Sequence, residues 1–258
     1  LFPWSFGGLI GGSKGKPRSQ NALNFAYIVY LKLRSKNLDQ GLIEIYVRKW
    51  FVYSILTGRY SGSPESMFDF DIKQIDNKSF DEYLQEKEDG ELSDAFWSVN
   101  LVQRLDTSVA SSPFFNIFLA AQVKNKDRGF LSKEISVNNL IIHRGDIHHI
   151  FPKNYLKKSG LTRSSYNQIA NYVYMQQEVN IQVGNKAPEV YFSEVLEQCN
   201  QGELKYGALT DKNDLLKNLN ENCIPESIFS MTIENYQDFL IERRRLIAKK
   251  IKDYYYSL

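Results

Sequence analysis

The amino-acid sequence predicts a mainly α-helical α+β fold in which a small mixed segment interrupts a helical chain. Three observations predict it: apolar residues recur with helical spacing through the first half, this spacing fades near Ile135, and it returns at 233–255. We therefore expect a helical domain at 19–134 and a small module at 135–196. A C-terminal helical segment at 197–258, ending in one long helix, is expected to pack on the rest.

Length and composition indicate a globular chain with a sizeable core. The 258 residues are 43% hydrophobic, and 32 basic side chains nearly balance 30 acidic ones, which leaves a net charge of +2. A nucleic-acid-binding surface therefore has to be a local patch. No apolar run reaches the roughly 18 residues of a membrane span, and Cys199 and Cys223 fit no CxxC pattern. We expect a cytoplasmic protein with reduced thiols and no membrane partner.

The first stretch, 1–18, is rich in glycine and lysine and predicts a linker. It has neither an initiator Met nor the basic start of a signal peptide. We interpret it as the interior of a longer chain cut to a fragment.

Helices are expected throughout the first half, because apolar residues recur there at intervals of three and four. A helix begins at Pro64, which suits the first helical position, behind Ser63 as its N-cap. The charged stretch 85–91 is expected to separate this helix from the next. The other expected helices of this half are 19–35, 42–56, 94–106 and 113–123.

In the second half, a two-stranded ribbon is expected to begin near Ile135 and to include a strand at 147–151. Pro152 ends that strand, because proline cannot donate to the ladder. Neighbouring strand residues point to opposite faces, so His148 and His149 reach one site only at a bulge or a strand end. The later expected helices are 176–181, 190–196, 215–219 and 233–255.

Two of the three histidines, His148 and His149, are adjacent, and Asn171 and Asn180 follow in polar sequence. Imidazole and amide oxygen are acceptable ligands of a divalent ion, and a second imidazole beside such an ion suits the task of taking a proton from water. Paired histidines also occur in loops, and asparagine is a common turn former. The residue types alone leave a metal site and an ordinary surface open.

In order and spacing these residues resemble the motif of HNH (His-Me finger, ββα-metal) nucleases. The match is to the C-terminal module of GmrSD-type, modification-dependent restriction proteins and related phage-defence nucleases. The resemblance implies that His148 is the first metal ligand and His149 the general base. It makes Asn171 a loop-fixing residue and Asn180, nine residues later, the second ligand. Asp146 either orients a histidine as a nearby carboxylate or is a turn residue.

This resemblance implies a metal-dependent DNA endonuclease of a bacterial restriction or antiviral defence system. One divalent ion is expected, Mg²⁺ or Mn²⁺ first, with Ni²⁺, Co²⁺ or Zn²⁺ as other occupants. The expected partners are DNA, including modified phage DNA, and an N-terminal nucleotide-hydrolysing sensor domain of the same protein, which nothing in this sequence resembles.

Two other interpretations stay open. His148 stands where many HNH motifs have an acidic residue, which favours a catalytically degenerate module that binds DNA or a partner. Alternatively, the chain is an unrelated helical interaction protein with chance histidines. In that case His148, His149 and Asn180 do not converge in space.

Basic residues near the motif form a local cluster suited to phosphate contacts. The candidate DNA-binding residues are Lys153, Lys157, Lys158, Arg163 and Lys186. The last helix adds basic runs at 243–245 and 249–250, which either line the DNA path or form an exposed face. We favour the exposed face.

Overall fold

The computed structural model describes residues 20–143, 145–200 and 202–258, so the linker expected at 1–18 lies outside the described residues. The described chain is mainly helical and contains one two-stranded sheet, which confirms the predicted mainly helical α+β class. A π-helical turn, Phe96–Asn100, precedes α5. The helices of the first half are α1 Gln20–Ser35, α2 Gln40–Thr57, α3 Pro64–Asn77, α4 Phe80–Glu91, α5 Leu101–Arg104 and α6 Pro113–Asn125.

The second half begins with short elements and ends with the longest helix. In chain order these elements are α7 Val137–Ile142, β1 Ile147–His149, α8 Lys153–Lys158, α9 Arg163–Tyr166, β2 Tyr172–Tyr174, α10 Gln177–Val183, α11 Pro188–Cys199, α12 Lys212–Glu221 and α13 Tyr236–Tyr256. Three 3-10 turns lie between them, at Ile169–Asn171, Glu226–Ser230 and Ile233–Asn235.

The charged stretch 85–91 is part of α4, so its prediction as a separator is wrong. A capping box begins this helix: Ser79 and Glu82 each bind the backbone N–H of the other. One face of the charged stretch is then buried, because the Glu88 carboxylate accepts hydrogen bonds from Tyr255 at 2.7 Å and Lys49 at 3.2 Å. The contacts of Glu88 with Tyr255 and Lys49 therefore stabilise the helical conformation of this polar stretch.

The ribbon also differs from its prediction. It does not begin near Ile135, because 137–142 forms α7, capped by the Ser136 side chain. The first strand ends at His149, before the expected 151, because the Phe151 backbone binds the Asn171 side chain in place of a partner strand. No helix was expected at α8 or α9, directly after the strand.

Buried apolar side chains form two clusters. The first core lies among the helices of the first half, around Trp50, and the second lies around Phe151 and Phe192. Helix α13 belongs to both, since Phe239 near its start is in the second core and Ile251 near its end is in the first. This helix therefore ties the two halves of the chain together.

Candidate metal and catalytic site

The order of elements at the candidate site is strand, strand, helix: β1 and β2 pair antiparallel, and α10 follows β2 after two residues. His148 lies opposite Val173 in this ribbon, and His149 lies opposite Tyr172. The register is regular and β1 ends at His149, so of the two expected geometries the structure has the strand end and not the bulge.

The two histidines leave the ribbon on opposite faces, because paired residues share a face and neighbours alternate. The face of His149 carries Tyr172, which belongs to the first core. The face of His148 carries Val173, which belongs to the second core. The ribbon is thus held between the two cores, and both imidazoles are half-buried at its end.

The His149 ring is fixed by two neighbours. Its Nε2 lies 3.0 Å from Asn167 Oδ1, and its ring meets the Tyr172 ring edge-on at 5.1 Å between centroids. A carbonyl oxygen only accepts, so with this amide orientation Nε2 carries the hydrogen and Nδ1 presents its lone pair. The side chain that sets this tautomer is Asn167, whereas the side chain of Asn171 bonds the Phe151 backbone.

The charge state of His149 follows from its surroundings. Burial has the largest effect and lowers the pKa of His149 below its ordinary 6.5. The hydrogen bond with Asn167 acts in the opposite direction, while the charges of Lys153 and His148 lower the pKa further. The ring is therefore neutral near pH 7, as a proton acceptor has to be.

His148 has a similar but more open environment. Burial lowers the pKa of His148, and the charge of Asp146 partly offsets this effect. Asp146 is exposed, and its charge also raises the pKa of Tyr174 after the larger effect of burial. Asp146 therefore acts on His148 through its charge, and no hydrogen bond joins the two among the described residues.

Asn171 is fully buried and fixes the turn that follows β1. Its Oδ1 accepts from the Phe151 N–H at 2.8 Å, and its Nδ2 donates to the carbonyls of Phe151 at 3.1 Å and Tyr166 at 3.3 Å. Its own carbonyl accepts from the Ile150 N–H at 2.9 Å. One side chain thus holds both backbone groups of Phe151.

Asn180 lies in the middle of α10 and is half-buried. Among the described residues, neither the side-chain amide of Asn180 nor the His148 ring has a hydrogen-bond partner. The amide oxygen of Asn180 and a ring nitrogen of His148 are therefore free to coordinate a metal ion. No group of three or more His, Cys, Asp or Glu side chains suited to a metal occurs in the described part of the chain. One imidazole and one amide oxygen fit an ion that keeps most of its water shell, as Mg²⁺ usually does.

Four of the five candidate DNA-binding residues are exposed: Lys153, Lys157, Lys158 and Arg163. Lys153 Nζ lies 5.8 Å from the Tyr166 ring centroid, and its charge acts on His149. Burial raises the pKa of Tyr172, and the positive charge of Arg163 opposes this rise. The site therefore carries local positive charge although the chain is nearly neutral.

Lys186 differs from the other four. Its ammonium forms an ion pair with Glu194 at 2.8 Å and donates to the Tyr206 hydroxyl at 2.5 Å. Lys205 contacts the same carboxylate at 2.5 Å. Much of the positive charge of Lys186 is thus balanced within the protein.

The basic run at 243–245 is not an exposed face, so that expectation is wrong for two of its three residues. Arg243 is fully buried and Arg244 is 8% exposed, whereas Arg245 is exposed. Lys250 is half-buried and bonded to the Asp127 carboxylate. These side chains face inward because α13 packs on both cores.

Comparison with known proteins gives one relative, an uncharacterized protein of Methanocaldococcus jannaschii. It is 28% identical over 219 residues, a match that covers 80% of this chain and 36% of that protein. The chain therefore spans about a third of the length of the relative it matches. No protein-family model matches the chain, and no solved structure matches it. Within the described residues, no helix is both long and apolar enough to cross a membrane.

Proposed function

We propose that this chain is a metal-dependent DNA endonuclease of the HNH type, acting as the nuclease part of a larger anti-phage defence protein. The observation that carries the proposal is the double hydrogen bond between Asn171 and the Phe151 backbone, two residues after His149. It holds the end of β1 in a ββα arrangement of the kind that the sequence resemblance implies. The free donor atoms of His148 and Asn180 on the flanking elements also support the proposal.

His149 is the general base of the proposed reaction. Its Nδ1 takes a proton from water while the water oxygen attacks the phosphorus of a phosphodiester. The bond from phosphorus to the 3′ oxygen breaks, and that oxygen leaves with a proton from solvent, which gives 5′-phosphate and 3′-hydroxyl ends. Asn167 binds the hydrogen on Nε2 and so keeps the lone pair on Nδ1.

His148 and Asn180 would hold one divalent ion. Such an ion, when bound, supplies positive charge against the phosphate and the leaving oxygen. A set of two protein ligands leaves most of the shell to water and favours Mg²⁺ or Mn²⁺, while the imidazole also accepts Ni²⁺, Co²⁺ or Zn²⁺.

The exposed basic residues around His149 bind the DNA backbone in this proposal. Lys153 and Arg163, whose charges act on the site residues, contact the phosphates next to the scissile bond. Such contacts position a duplex without reading its sequence. Choice of target, including modified phage DNA, then falls to the nucleotide-hydrolysing sensor domain proposed as the partner of this module.

The decisive experiment is nicking of supercoiled plasmid with Mg²⁺, Mn²⁺ or Ni²⁺. The His149→Ala variant is compared with His143→Ala, which removes an exposed histidine at the end of α7. We expect metal-dependent nicking by the wild type and by His143→Ala, and none by His149→Ala. Equal cutting by all three proteins would rule out His149 as the base.

A degenerate module that binds DNA or a partner without cutting is the second candidate. The histidine at position 148, where an acidic ligand is more usual, and the opposite faces of His148 and His149 favour it. Plasmid binding without nicking in any of the three metals would support this alternative.

A further inference from the structure

The segment 165–170 carries Asn167 and leads directly into Asn171, and helix α13 holds it from one side. The Tyr236 hydroxyl donates to the Ser165 carbonyl at 3.0 Å. Seven residues later on the same helix, Arg243 Nη1 donates to the Ala170 carbonyl at 2.8 Å. The two ends of the segment are thus bound to one rigid helix.

Arg243 has an unusual environment for a charged side chain. It is fully buried, no described carboxylate forms an ion pair with it, and both partners of its guanidinium are backbone carbonyls. The second of these is the Asn222 carbonyl, 3.1 Å from Nη2, and Nε has no partner among the described residues. Burial lowers the pKa of Arg243 to about 10.

Burying a charge without a counter-charge destabilises the folded protein. An apolar side chain of similar volume would fill the same space without that cost. What an apolar side chain lacks is the planar fork, whose N–H groups hold two carbonyls at a fixed separation. The geometry of Arg243 thus serves to fix Ala170 relative to Asn222.

We infer that Arg243 is a positioning residue, which holds 165–170 so that Asn167 meets His149 Nε2 and keeps the lone pair on Nδ1. Arg244 makes a second, weaker link, because its Nη2 contacts Gln168 at 3.2 Å next to Asn167. Only the catalytic consequence of this role rests on the proposed function. The positioning itself can be measured without metal or DNA.

The direct test is nitrogen NMR of the histidine rings in the metal-free protein near pH 8, where imidazole is neutral. Wild type is expected to show His149 mostly with hydrogen on Nε2. Arg243→Lys keeps the charge but loses the fork, so we expect a mixture of the two tautomers. Arg245→Lys changes an exposed arginine on the same helix and is expected to match wild type.

Several outcomes would overturn the inference. A wild-type ring with its hydrogen on Nδ1 removes the proposed contact with Asn167. An Arg243→Lys variant that melts at lower temperature but keeps the wild-type tautomer shows a stabilising role alone. If Arg243→Lys does not fold, the Arg244→Met variant is measured instead. A wild-type tautomer of His149 in Arg244→Met would also contradict the inference.

Activity adds a readout that separates this inference from the proposed function. If wild type nicks plasmid, Arg243→Lys is expected to lower kcat roughly 10- to 100-fold at unchanged KM for DNA, as for a slightly misplaced base. If wild type does not nick, the proposed function fails, while the tautomer measurement still decides the positioning role.

Discussion

Asn171 and Phe151 are joined by two hydrogen bonds across the end of the ribbon: the Phe151 N–H donates to Asn171 Oδ1 at 2.8 Å, and Asn171 Nδ2 donates to the Phe151 carbonyl at 3.1 Å. The turn after His149 therefore depends on a single side chain that is fully buried. Replacing that side chain tests the architecture of the site independently of any reaction.

Asn171→Ala is expected to lower the free energy of unfolding by about 3 kcal/mol, because it leaves buried backbone groups of Phe151 without partners. For a chain of this size we expect the melting temperature to fall by about 10 °C. Thermal unfolding followed by circular dichroism checks this, with Asn154→Ala as control, since Asn154 is exposed in α8. Equal melting of the two variants would show that the Asn171 bonds are dispensable.

Asn167→Ala is expected to slow nicking roughly 10- to 100-fold, because the general base loses the contact that orients it. Affinity for DNA and for metal should stay as in wild type, since the Asn167 side chain bonds His149 and the backbone bond from Asn167 N–H to the Arg163 carbonyl is kept in the alanine variant. Single-turnover nicking, with binding measured separately, distinguishes the two effects. Retention of the wild-type rate would mean that another group orients His149.

His148→Ala and Asn180→Ala are each expected to raise the Mn²⁺ concentration needed for half-maximal nicking by at least about 10-fold, since even outer-shell partners of a metal ligand have effects of that size. Asn185→Ala, an exposed asparagine just after α10, serves as the control. The expectation is wrong for either residue whose variant shows the wild-type dependence on Mn²⁺.

The double variant Lys157→Ala, Lys158→Ala should weaken DNA binding and flatten its salt dependence. Each lost phosphate contact reduces the slope of log affinity against log salt by about 0.9. Fluorescence anisotropy at several salt concentrations, in a His149→Ala background, measures this slope. Lys186→Ala should change it less, because Glu194 already balances that ammonium. A larger change for Lys186→Ala would contradict the assignment of the basic surface.

Glu194 should contribute a pH-dependent part of the stability. Burial by itself raises the pKa of Glu194, but hydrogen bonds from Lys186, Lys205 and Tyr206 outweigh it and lower the pKa to about 2. A depressed folded-state pKa gives stability that is present above the ordinary pKa of 4.5 and lost as the pH falls through about 2. We expect Glu194→Gln to be about 1 kcal/mol less stable than wild type near pH 7.

Urea unfolding of wild type and Glu194→Gln near pH 7, 4 and 3 checks this dependence. The difference between the two proteins should shrink as the pH falls below 4.5. Glu197→Gln, which changes an exposed residue of the same helix, should differ little from wild type at any of these pH values. A constant difference for Glu194→Gln would mean that its ion pairs do not stabilise the folded state.

Much of the fold could be predicted from local sequence patterns. The helical class, Pro64 at the start of α3 and Gly58 at the end of α2 follow from spacing and capping rules that act within a few residues. The capping box of Ser79 and Glu82 is also a local signal, and it could have shown that the charged stretch continues a helix. The short helix α7 gave no such clear period, and its place was taken for a strand.

The candidate site also has features that the sequence predicts and features that only the tertiary structure shows. The sequence by itself led to the prediction of His148, His149, Asn171 and Asn180 as the site, because the resemblance depends on their order and spacing. Only the tertiary structure decided that Asn167 contacts His149. It also turned Arg243 inward, since that side chain meets Ala170, 73 residues away. Such contacts depend on how two cores pack around one helix, and local sequence patterns do not determine that packing.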